Sequence, residues 1–577
     1  MDKKIKFLVF AVMPIIAFYL MEAFEHNPFI EVRETAQLFN ILLFELIAWI
    51  LLFLSGRAWI ALDITFGCAM IFGLINHYVM KFRSTPFVPW DIFSVGTAKS
   101  VAGAYDFTPE TRVVLVVLGF IILIILTHFI KLKVEIKLWI RIIPASVLAI
   151  GLYIFSLALQ NEQFQQDNYL YPFLFTPAYM TKVNGMAVTF TMDLAYVNVE
   201  KPDGYDKATT EKLLKKYEDD NNSSNKSNKP NIIVIMDEAF SDLKILGDFE
   251  TNEDYMPFVH SLFNGAENTV TGYANVSVCG GNTANSEFEF LTGNTMAFLP
   301  NGSIPYQQYI KKETSSLASY LKEMGYETYA QHPYYPSGWC RDSVYPLLGF
   351  ENIEFINDYT NRKICREYVS DESSFEKIID TFENKEEGKP VFIFNVTMQN
   401  HGSYSDEYDN FENAITASDY SNSSLDQYLS LIKISDSDFE NLIDYFKTVE
   451  EDTLIIFFGD HQPNDSVAYS ILSDKGMNYK DLNEEELKLR YKVPYVIWAN
   501  FDIEEEKDRD TSLNYLAAEA LDISGVKLSG YQNFLLELKK SYPVISTVNI
   551  QSVDENEKIF EQYKQIQYYK LFGQKGN

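Results

Sequence analysis

Long apolar runs alternate with short polar breaks over the first 160 residues of the chain. Only Ser55-Gly56-Arg57 separates the second run from the third, which predicts a tight turn between two helices. Each run approaches the ~20 residues that a helix needs to cross a bilayer. The pattern predicts a transmembrane anchor of about five helices over residues 1–160. The runs are Ile5 to Glu22, Phe39 to Leu54, Ala58 to Met80, Val113 to Ile130, and Leu138 to Leu159.

Charges beside these runs predict their orientation. Cytoplasmic loops carry an excess of Lys and Arg, and five spans from an inside N-terminus place everything after Leu159 outside the cell. Lys81 and Arg83 oppose this orientation. The charges that favour it are the basic Lys3, Lys4, Lys6, Lys131, Lys133 and Lys137, and the acidic Glu22, Glu25, Glu31 and Glu34 in the first outer loop.

Three segments of this half leave alternatives open. The first run has the length of a cleaved signal peptide, although four more runs follow it. Ser156-Leu157-Ala158 has the small-x-small pattern of a signal peptidase site, and cleavage there would release the outer part. The loop from Phe82 to Arg112 contains Pro and Trp residues, which suit either a membrane-surface segment or an ordinary loop.

Residues 161–230 predict a linker. A helical stretch from Thr209 to Tyr217 runs into EDDNNSSNKSNKP, which cannot bury apolar surface and is typical of a flexible or exposed segment.

Residues 231–545 predict an extracellular α/β domain. Four short apolar runs are typical of strands buried on both faces, and helical stretches such as Ser315 to Met324 and Asp436 to Glu450 lie between them. This alternation predicts a central, mostly parallel sheet covered by helices. The tail, residues 546–577, is either a packed terminal helix or a mobile extension. The four runs are NIIVIM at Asn231, VFIFNV at Val391, LIIFF at Leu454, and VPYVIWAN at Val493.

Composition narrows the classes of function. The formal net charge is −31, so nucleic acid is not an expected partner, because its phosphates repel an acidic chain. Any phosphate chemistry here needs a local positive centre, such as a metal ion or an Arg. Four cysteines do not predict a disulfide framework, although one pair could form.

Acids and histidines follow three of the predicted strands. Glu238 follows the first strand, His401 follows the second, and the pair Asp460-His461 follows the third. In parallel sheets, functional groups collect at the carboxyl ends of the strands. Carboxylates with an imidazole suit Mn²⁺ or Mg²⁺, and also Zn²⁺. The plain alternative for any one of them is a polar residue that caps the next helix.

The segment VSVCGGNTANSEFEFLTG places Thr283 at or near the start of a helix, after a glycine-rich loop. Free N–H groups and the helix dipole favour an anion there. A hydroxyl in this position becomes a nucleophile if a metal lowers its pKa. The alternative is a simple N-cap, with Glu287 in the first turn.

This order of motifs resembles the alkaline phosphatase and sulfatase-like superfamily. Together with the anchor, it looks closest to the lipoteichoic acid synthase and phosphoglycerol transferase family. The resemblance implies a metal site of Glu238, Thr283, Asp460 and His461 that holds Mn²⁺ or Mg²⁺, with Thr283 as the nucleophile.

The segment QHPYYPSGWCRD matches the substrate-contact region of that family. The resemblance implies that His332, Trp339 and Arg341 hold glycerol phosphate, and that His401 is a further contact. Tyr334 departs from the pattern, since an acidic residue is expected there. Cys279 precedes Gly-Gly-Asn-Thr, which does not fit the Cys/Ser-x-Pro-x-Arg setting of aldehyde-forming sulfatases.

The resemblance implies transfer of glycerol phosphate from phosphatidylglycerol to a glycolipid or a growing polyglycerolphosphate, through a phosphothreonine and with His401 or His461 as a base. One alternative is a phosphoethanolamine transferase or a phosphodiesterase with the same site. A second is a non-catalytic binding or sensory protein, against which the complete set of Glu238, Thr283, Asp460 and His461 argues.

Overall fold

The structure is a computed structural model. It describes residues 3–83, 86–94, 108–171, 177–197, 199–219, 228–300, 303–474, 483–550 and 557–573. The chain divides into two compact units, Met1–Val199 and Glu200–Asn577. We call them the membrane unit and the outer unit, after the locations that the sequence predicts for them.

The membrane unit is helical. Among its described residues, α1, α3, α4 and α6 are long and apolar enough to cross a membrane, while α5 has 17 residues and is shorter. The five apolar helices that the sequence predicts are therefore present. The helices are α1 (Lys3–Glu22), α2 (Pro28–Glu31), α3 (Glu34–Ser55), α4 (Ala58–Arg83), α5 (Thr111–Thr127), α6 (Leu138–Leu159), α7 (Glu162–Asp167), α8 (Pro177–Asn184) and α9 (Met186–Asp193).

A left-handed glycine ends α3. Gly56 has φ 69°, and its N–H donates to the carbonyl of Leu52. A glycine pays no Cβ penalty in this conformation, so the chain turns at once into α4. The predicted tight turn is confirmed. The predicted start of this helix at Phe39 is late, since the helix begins at Glu34.

Two predictions fall partly outside the described residues. In the loop from Phe82 to Arg112, residues 84–85 and 95–107 lie outside them, and Pro89–Ser94 form a 3₁₀ turn. Residues 220–227 of the polar linker tract also lie outside them. The helix that precedes the tract, predicted from Thr209 to Tyr217, is α10 (Lys207–Asp219).

An eight-stranded sheet forms the centre of the outer unit, in the order β10-β2-β9-β8-β1-β7-β3-β4, and β5-β6 form a separate pair. The four predicted apolar strands are β1, β7, β8 and β9, and all four are almost fully buried. The strands are β1 (Asn231–Asp237), β2 (Thr269–Asn275), β3 (Glu327–Gln331), β4 (Asn352–Glu354), β5 (Ile364–Cys365), β6 (Tyr368–Val369), β7 (Val391–Val396), β8 (Thr453–Gly459), β9 (Lys492–Ala499) and β10 (Thr511–Ser512).

Strand β9 runs against its neighbours. It pairs antiparallel with both β8 and β2, whereas β1, β7, β3 and β4 pair in parallel. The sheet is mostly parallel, as predicted, but the sequence did not indicate this exception. An apolar run reports burial on both faces and carries no information about strand direction.

Helices cover the sheet, and a large apolar core packs between these helices and one face of the sheet. The predicted helix from Asp436 to Glu450 overlaps the second half of a longer one, α17, which begins at Ser423 and already ends at Phe446. The helices are α11 (Pro257–Phe263), α12 (Thr283–Thr292), α13 (Pro305–Gln308), α14 (Leu317–Glu323), α15 (Arg341–Leu347), α16 (Asp371–Glu383), α17 (Ser423–Phe446), α18 (Asp465–Asp474), α19 (Glu484–Leu489), α20 (Leu513–Ile523), α21 (Gly530–Ser541) and α22 (Lys558–Tyr568).

The C-terminal segment is a packed helix in the residues that the structure describes. Phe560, Tyr563 and Ile566 of α22 are fully buried against Phe534 and Leu538 of α21 in a second, smaller core.

Candidate metal centre and active site

Two neighbouring parallel strands deliver the acids of the site. Asp237 at the end of β1 stands opposite Gly459 at the end of β8. The next residue on each strand is therefore Glu238 on one side and Asp460 on the other. The backbone N–H of Glu238 donates to the Thr397 hydroxyl, which follows β7. Three strand ends thus hold this corner of the sheet together.

Glu238, Asp460 and His461 form a compact buried cluster, with one potential ligand atom from each within 4.8 Å of the others. The His461 Nε2 lies 3.2 Å from Asp460 Oδ2 and 3.7 Å from Glu238 Oε1. Burial and then the charge of Asp460 raise the pKa of Glu238 to about 8.

The imidazole of His461 is oriented for a ligand. Its Nδ1 lies 2.9 Å from the carbonyl oxygen of Gln462, so this nitrogen carries the proton and Nε2 keeps its lone pair. Within the described part of the chain, Nε2 and Asp460 Oδ2 are buried without a hydrogen-bond partner. A lone pair facing two carboxylates is unfavourable unless a cation lies among them. The donor set therefore fits a divalent metal ion.

Thr283 is the first residue of α12. The N-cap position belongs to Asn282, in the left-handed conformation at φ 69° and with no capping bond from its side chain. The alternative of Thr283 as an N-cap is therefore wrong by one position. Its hydroxyl instead donates to Glu238 Oε2 over 3.3 Å. This contact adds the hydroxyl to the metal cluster, at the positive end of a helix dipole.

The loop before α12 is pinned to the end of β8. The Gly280 N–H donates to the carbonyl of Gln462 over 2.9 Å, and the Ser286 hydroxyl donates to the carbonyl of Asp460 over 2.6 Å. At φ 71°, a Cβ on Gly280 would also lie only 3.3 Å from the Cα of Asn464. Glycine is therefore required for the loop to approach the cluster this closely.

A cavity of about 350 Å³ opens above the cluster. Asp460 lies beneath it, fully buried. All the other predicted site residues line its wall: Glu238, Thr283, His332, Trp339, Arg341, His401 and His461.

Arg341 already has an acidic partner. Its Nε donates to Glu287 Oε1 over 2.9 Å, and Nη2 donates to the same oxygen. Burial acts to lower the pKa of Arg341, but the charge of Glu287 outweighs it and raises the pKa. Because this pair is electrically balanced, most of the positive charge for a bound phosphate has to come from a cation.

His332 supports Arg341. The His332 Nδ1 lies 3.0 Å from the carbonyl of Val396, so Nε2 is free to accept the hydrogen bond from Arg341 Nη1, also 3.0 Å away. Burial and the Arg341 charge hold the pKa of His332 well below its usual range. Both ring nitrogens are thus engaged within the protein.

His401 has one ring nitrogen left for the cavity. Its Nδ1 lies 2.8 Å from the carbonyl of Gly402 and 3.1 Å from the hydroxyl of Tyr368, which leaves Nε2 as the lone-pair nitrogen. Buried Arg366 fixes this loop by donating to the carbonyls of Gln399, His401 and Ser403.

The sequence reasoning missed Arg366, Tyr368 and the role of Glu287. Arg366 and Tyr368 belong to the short β5-β6 hairpin, and nothing in the local sequence connects them to His401. For Glu287, one signal was available. An acid that is fully buried in a helix needs a cationic partner, and Arg341 was a candidate among the motif residues, although it lies 54 residues away in the chain.

Residues 230–526 match the sulfatase family, which is more than half of the chain, and the chain belongs to that family. The resemblance inferred from the motifs is confirmed. Among similar proteins, one from Rhizobium meliloti named for cyclic beta-1,2-glucan modification is 31% identical over 369 residues. Lipoteichoic acid synthase 1 of Bacillus subtilis is 25% identical over 277 residues.

These alignments cover part of each protein. They span 63% and 46% of this chain, and 56% and 42% of the two relatives. Among solved structures, Streptococcus pyogenes phosphoglycerol transferase GacH, in complex with sn-glycerol-1-phosphate, has a TM-score of 0.55 at 22% identity. That likeness covers 65% of this chain and 96% of the other, and it shows a shared fold.

Proposed function

We propose that the chain is a metal-dependent phosphoglycerol transferase that takes glycerol phosphate from phosphatidylglycerol. The observation that carries the proposal is the position of Thr283. Thr283 is the first residue of α12, and its hydroxyl donates to Glu238. Thr283 also lines the cavity, together with every other predicted site residue except Asp460. Relatives named as lipoteichoic acid synthases support the same chemistry.

Glu238, Asp460, His461 and the Thr283 hydroxyl would hold Mn²⁺ or Mg²⁺, both of which accept oxygen ligands with an imidazole. Such an ion lowers the pKa of a bound hydroxyl and neutralises the charge that develops on a phosphate in the transition state.

The residues of the chain then carry two displacements. In the first, the Thr283 hydroxyl releases its proton to solvent, a bond forms between the Thr283 oxygen and phosphorus, the bond from phosphorus to the diacylglycerol oxygen breaks, and that oxygen leaves with a proton from solvent. In the second, an acceptor hydroxyl attacks the glycerophosphothreonine and His401 Nε2 takes its proton, while the bond to Thr283 breaks and the Thr283 oxygen takes a proton from solvent. Arg341 and Trp339 bind the glycerol phosphate from the cavity wall.

The membrane unit would hold the catalytic residues 231–545 at a lipid surface on the outside of the cell. Donor and acceptor are then both lipid-linked, and a glycolipid or a growing polyglycerolphosphate is the acceptor. Confinement to the membrane raises the effective concentration of both.

A second candidate acceptor is a carbohydrate. The relative named for glucan modification favours it. Tyr334 at the cavity wall also packs against Tyr335, with ring centroids 4.9 Å apart, and Tyr335 is 57% exposed. Exposed aromatic faces are suited to stacking on sugar rings. Incubation with phosphatidylglycerol plus either a glycolipid or a cyclic glucan distinguishes the acceptors.

The decisive experiment uses Thr283→Ala and Thr283→Ser with a fluorescent phosphatidylglycerol. We expect no diacylglycerol release from the alanine variant and partial release from the serine variant. Wild-type protein quenched during turnover should carry a glycerophosphate adduct on Thr283 by mass spectrometry. Turnover by Thr283→Ala would sink the nucleophile assignment, and diacylglycerol release from phosphatidylethanolamine but not from phosphatidylglycerol would indicate the phosphoethanolamine alternative.

A further inference from the structure

An apolar cavity of about 420 Å³ lies inside the membrane unit, among helices α1, α3, α4, α6 and α9. Its wall is formed mainly by aliphatic and aromatic side chains. These include Met21, Leu43, Phe44, Phe72 and Phe190.

The hydroxyl groups in the wall are already engaged by their own helices. The Thr65 hydroxyl donates to the carbonyl of Ala61 over 2.9 Å, and the Thr191 hydroxyl donates to the carbonyl of Ala187 over 2.7 Å. The Ser156 hydroxyl accepts from the side-chain amide of Gln160 over 3.1 Å. A buried water needs two to four polar partners. Water in this cavity would therefore lack the hydrogen-bond partners that it needs.

An empty cavity of this size is also unfavourable, because the side chains around it lose their packing contacts. The available filler is the hydrocarbon of the bilayer. Ile47 and Ile64 line the cavity and are 41% and 44% exposed, so the cavity opens at the surface of the helices. The cavity wall is thus continuous with the lipid-facing surface.

Hydrogen bonds fix the start of α9, one of the helices that line the cavity. The N–H groups of Met186 and Val188, in the first turn of α9, donate to the side chains of Glu22 and Asn40 over 2.7 and 3.1 Å. The Asn40 amide also donates to the carbonyl of Asn184. These bonds satisfy donors that a helix start leaves unpaired. The cavity is therefore a fixed feature of the unit and not a loose gap between helices.

We propose that this cavity binds one acyl chain of a membrane glycerophospholipid. A 150 Å³ apolar cavity holds a benzene molecule, so at the same density about 420 Å³ holds about seventeen carbons, close to one chain. The wall extends from Met21, near the C-terminal end of α1, to Leu51, near the C-terminal end of α3, so it runs along much of the length of these helices, as an extended acyl chain does. The proposal concerns lipid binding and does not depend on the chemistry at Thr283.

The test uses the full chain in nanodiscs that contain phosphatidylcholine or phosphatidylglycerol with a diazirine near the end of one acyl chain. After irradiation, mass spectrometry maps the labelled peptides. We expect labels concentrated on α4 and α9 with both headgroups. Cys68→Phe and Ala187→Phe fill the cavity from its wall and should reduce this labelling about tenfold, the effect of two lost buried methylenes.

Ile122→Phe is the matched control, because Ile122 is 57% exposed on α5 and lies outside the cavity wall. It should leave the labelling unchanged. Labels as frequent on α5, which lies outside the cavity wall, as on the helices that line the cavity would overturn the proposal, and this map of the wild-type protein decides the matter even if a filled variant does not fold. Full labelling of both folded variants, or labelling with one headgroup alone, would also overturn it.

Discussion

At the scale of single residues, three histidines of the outer unit share one hydrogen-bond arrangement. His332, His401 and His461 each place Nδ1 against a backbone carbonyl, which keeps the lone pair on Nε2. The three lone pairs then serve different partners. His332 accepts from Arg341, His461 faces the two carboxylates, and His401 is left for the cavity. Backbone geometry thus sets the tautomers on which the proposed chemistry depends.

At the metal centre, we expect one substitution to change the melting temperature in opposite directions without and with metal. Asp460→Asn keeps the hydrogen bond from the Ala239 N–H but removes a charge from the repelling cluster. Without metal, the variant should melt at a higher temperature than the wild type. Added Mn²⁺ should stabilise the wild type by about 2.7 kcal/mol at a hundredfold excess over its Kd, and the variant far less.

The measurement is the melting temperature of the full chain in detergent, with and without Mn²⁺. Asp444→Asn is the control, since Asp444 is an exposed acid on α17, and it should keep the full Mn²⁺ response. An Asp460→Asn protein that responds like the wild type would contradict the metal assignment.

The contribution of His260 to stability is expected to depend on pH. Burial acts to lower its pKa, but hydrogen bonds and charges from Asp242 and Asp254 raise it to about 9. A raised folded-state pKa contributes stability that is complete below the unfolded value near 6.5 and is lost as the pH rises through 9. His260→Gln should therefore cost about 2 kcal/mol at pH 6 and much less at pH 9.5. Thermal unfolding at both values checks this, and an equal loss at both would refute it.

At the scale of elements, α12 is held at both ends. Its first turn carries Thr283 and faces the metal cluster. At its last turn, Lys570 Nζ donates to the carbonyl of Thr292 over 2.9 Å, and the Tyr563 hydroxyl donates to the carbonyl of Gly293, also over 2.9 Å. The C-terminal segment therefore fixes the far end of the helix that carries the proposed nucleophile.

Lys570→Met should destabilise this end of α12. Burial lowers the pKa of Lys570 to about 7, and loss of its amino group leaves the Thr292 carbonyl without the hydrogen bond from Lys570, at a cost of about 1–3 kcal/mol. We expect a lower melting temperature and faster hydrogen exchange in residues 292–296. Lys558→Met, at an exposed position at the start of α22, is the control. Unchanged exchange in Lys570→Met would show that the segment only packs beside the helix.

At the scale of the whole molecule, the division into two units predicts separable roles. The outer unit, Glu200–Asn577, has its own sheet and its own buried apolar cores. Expressed alone, it should fold and show the same Mn²⁺ stabilisation. Its turnover of phosphatidylglycerol in vesicles should fall at least about tenfold, because it loses confinement to the surface. Turnover of a soluble glycerophosphodiester should not change, and a similar fall on both substrates would contradict this division.

The sequence by itself determined the elements and the chemistry at their ends. Apolar runs of about 20 residues in the first 160 residues of the chain predict helices that cross a bilayer. Apolar runs of five to eight residues from Asn231 onward predict strands in a sheet, because length and burial follow from local hydrophobicity. Glu238, Asp460 and His461 could be predicted as neighbours, since parallel strands end at one edge of a sheet.

Only the tertiary structure decided which groups remain available to a substrate. Three contacts illustrate this, and each joins segments that are distant along the chain. Strand β9 pairs antiparallel with β8, Glu287 neutralises Arg341, and Arg366 donates to the carbonyl of His401. Hydrogen bonds and ion pairs depend on distances of about 3 Å. Sequence patterns report burial and local conformation, but not which distant partners meet at that range.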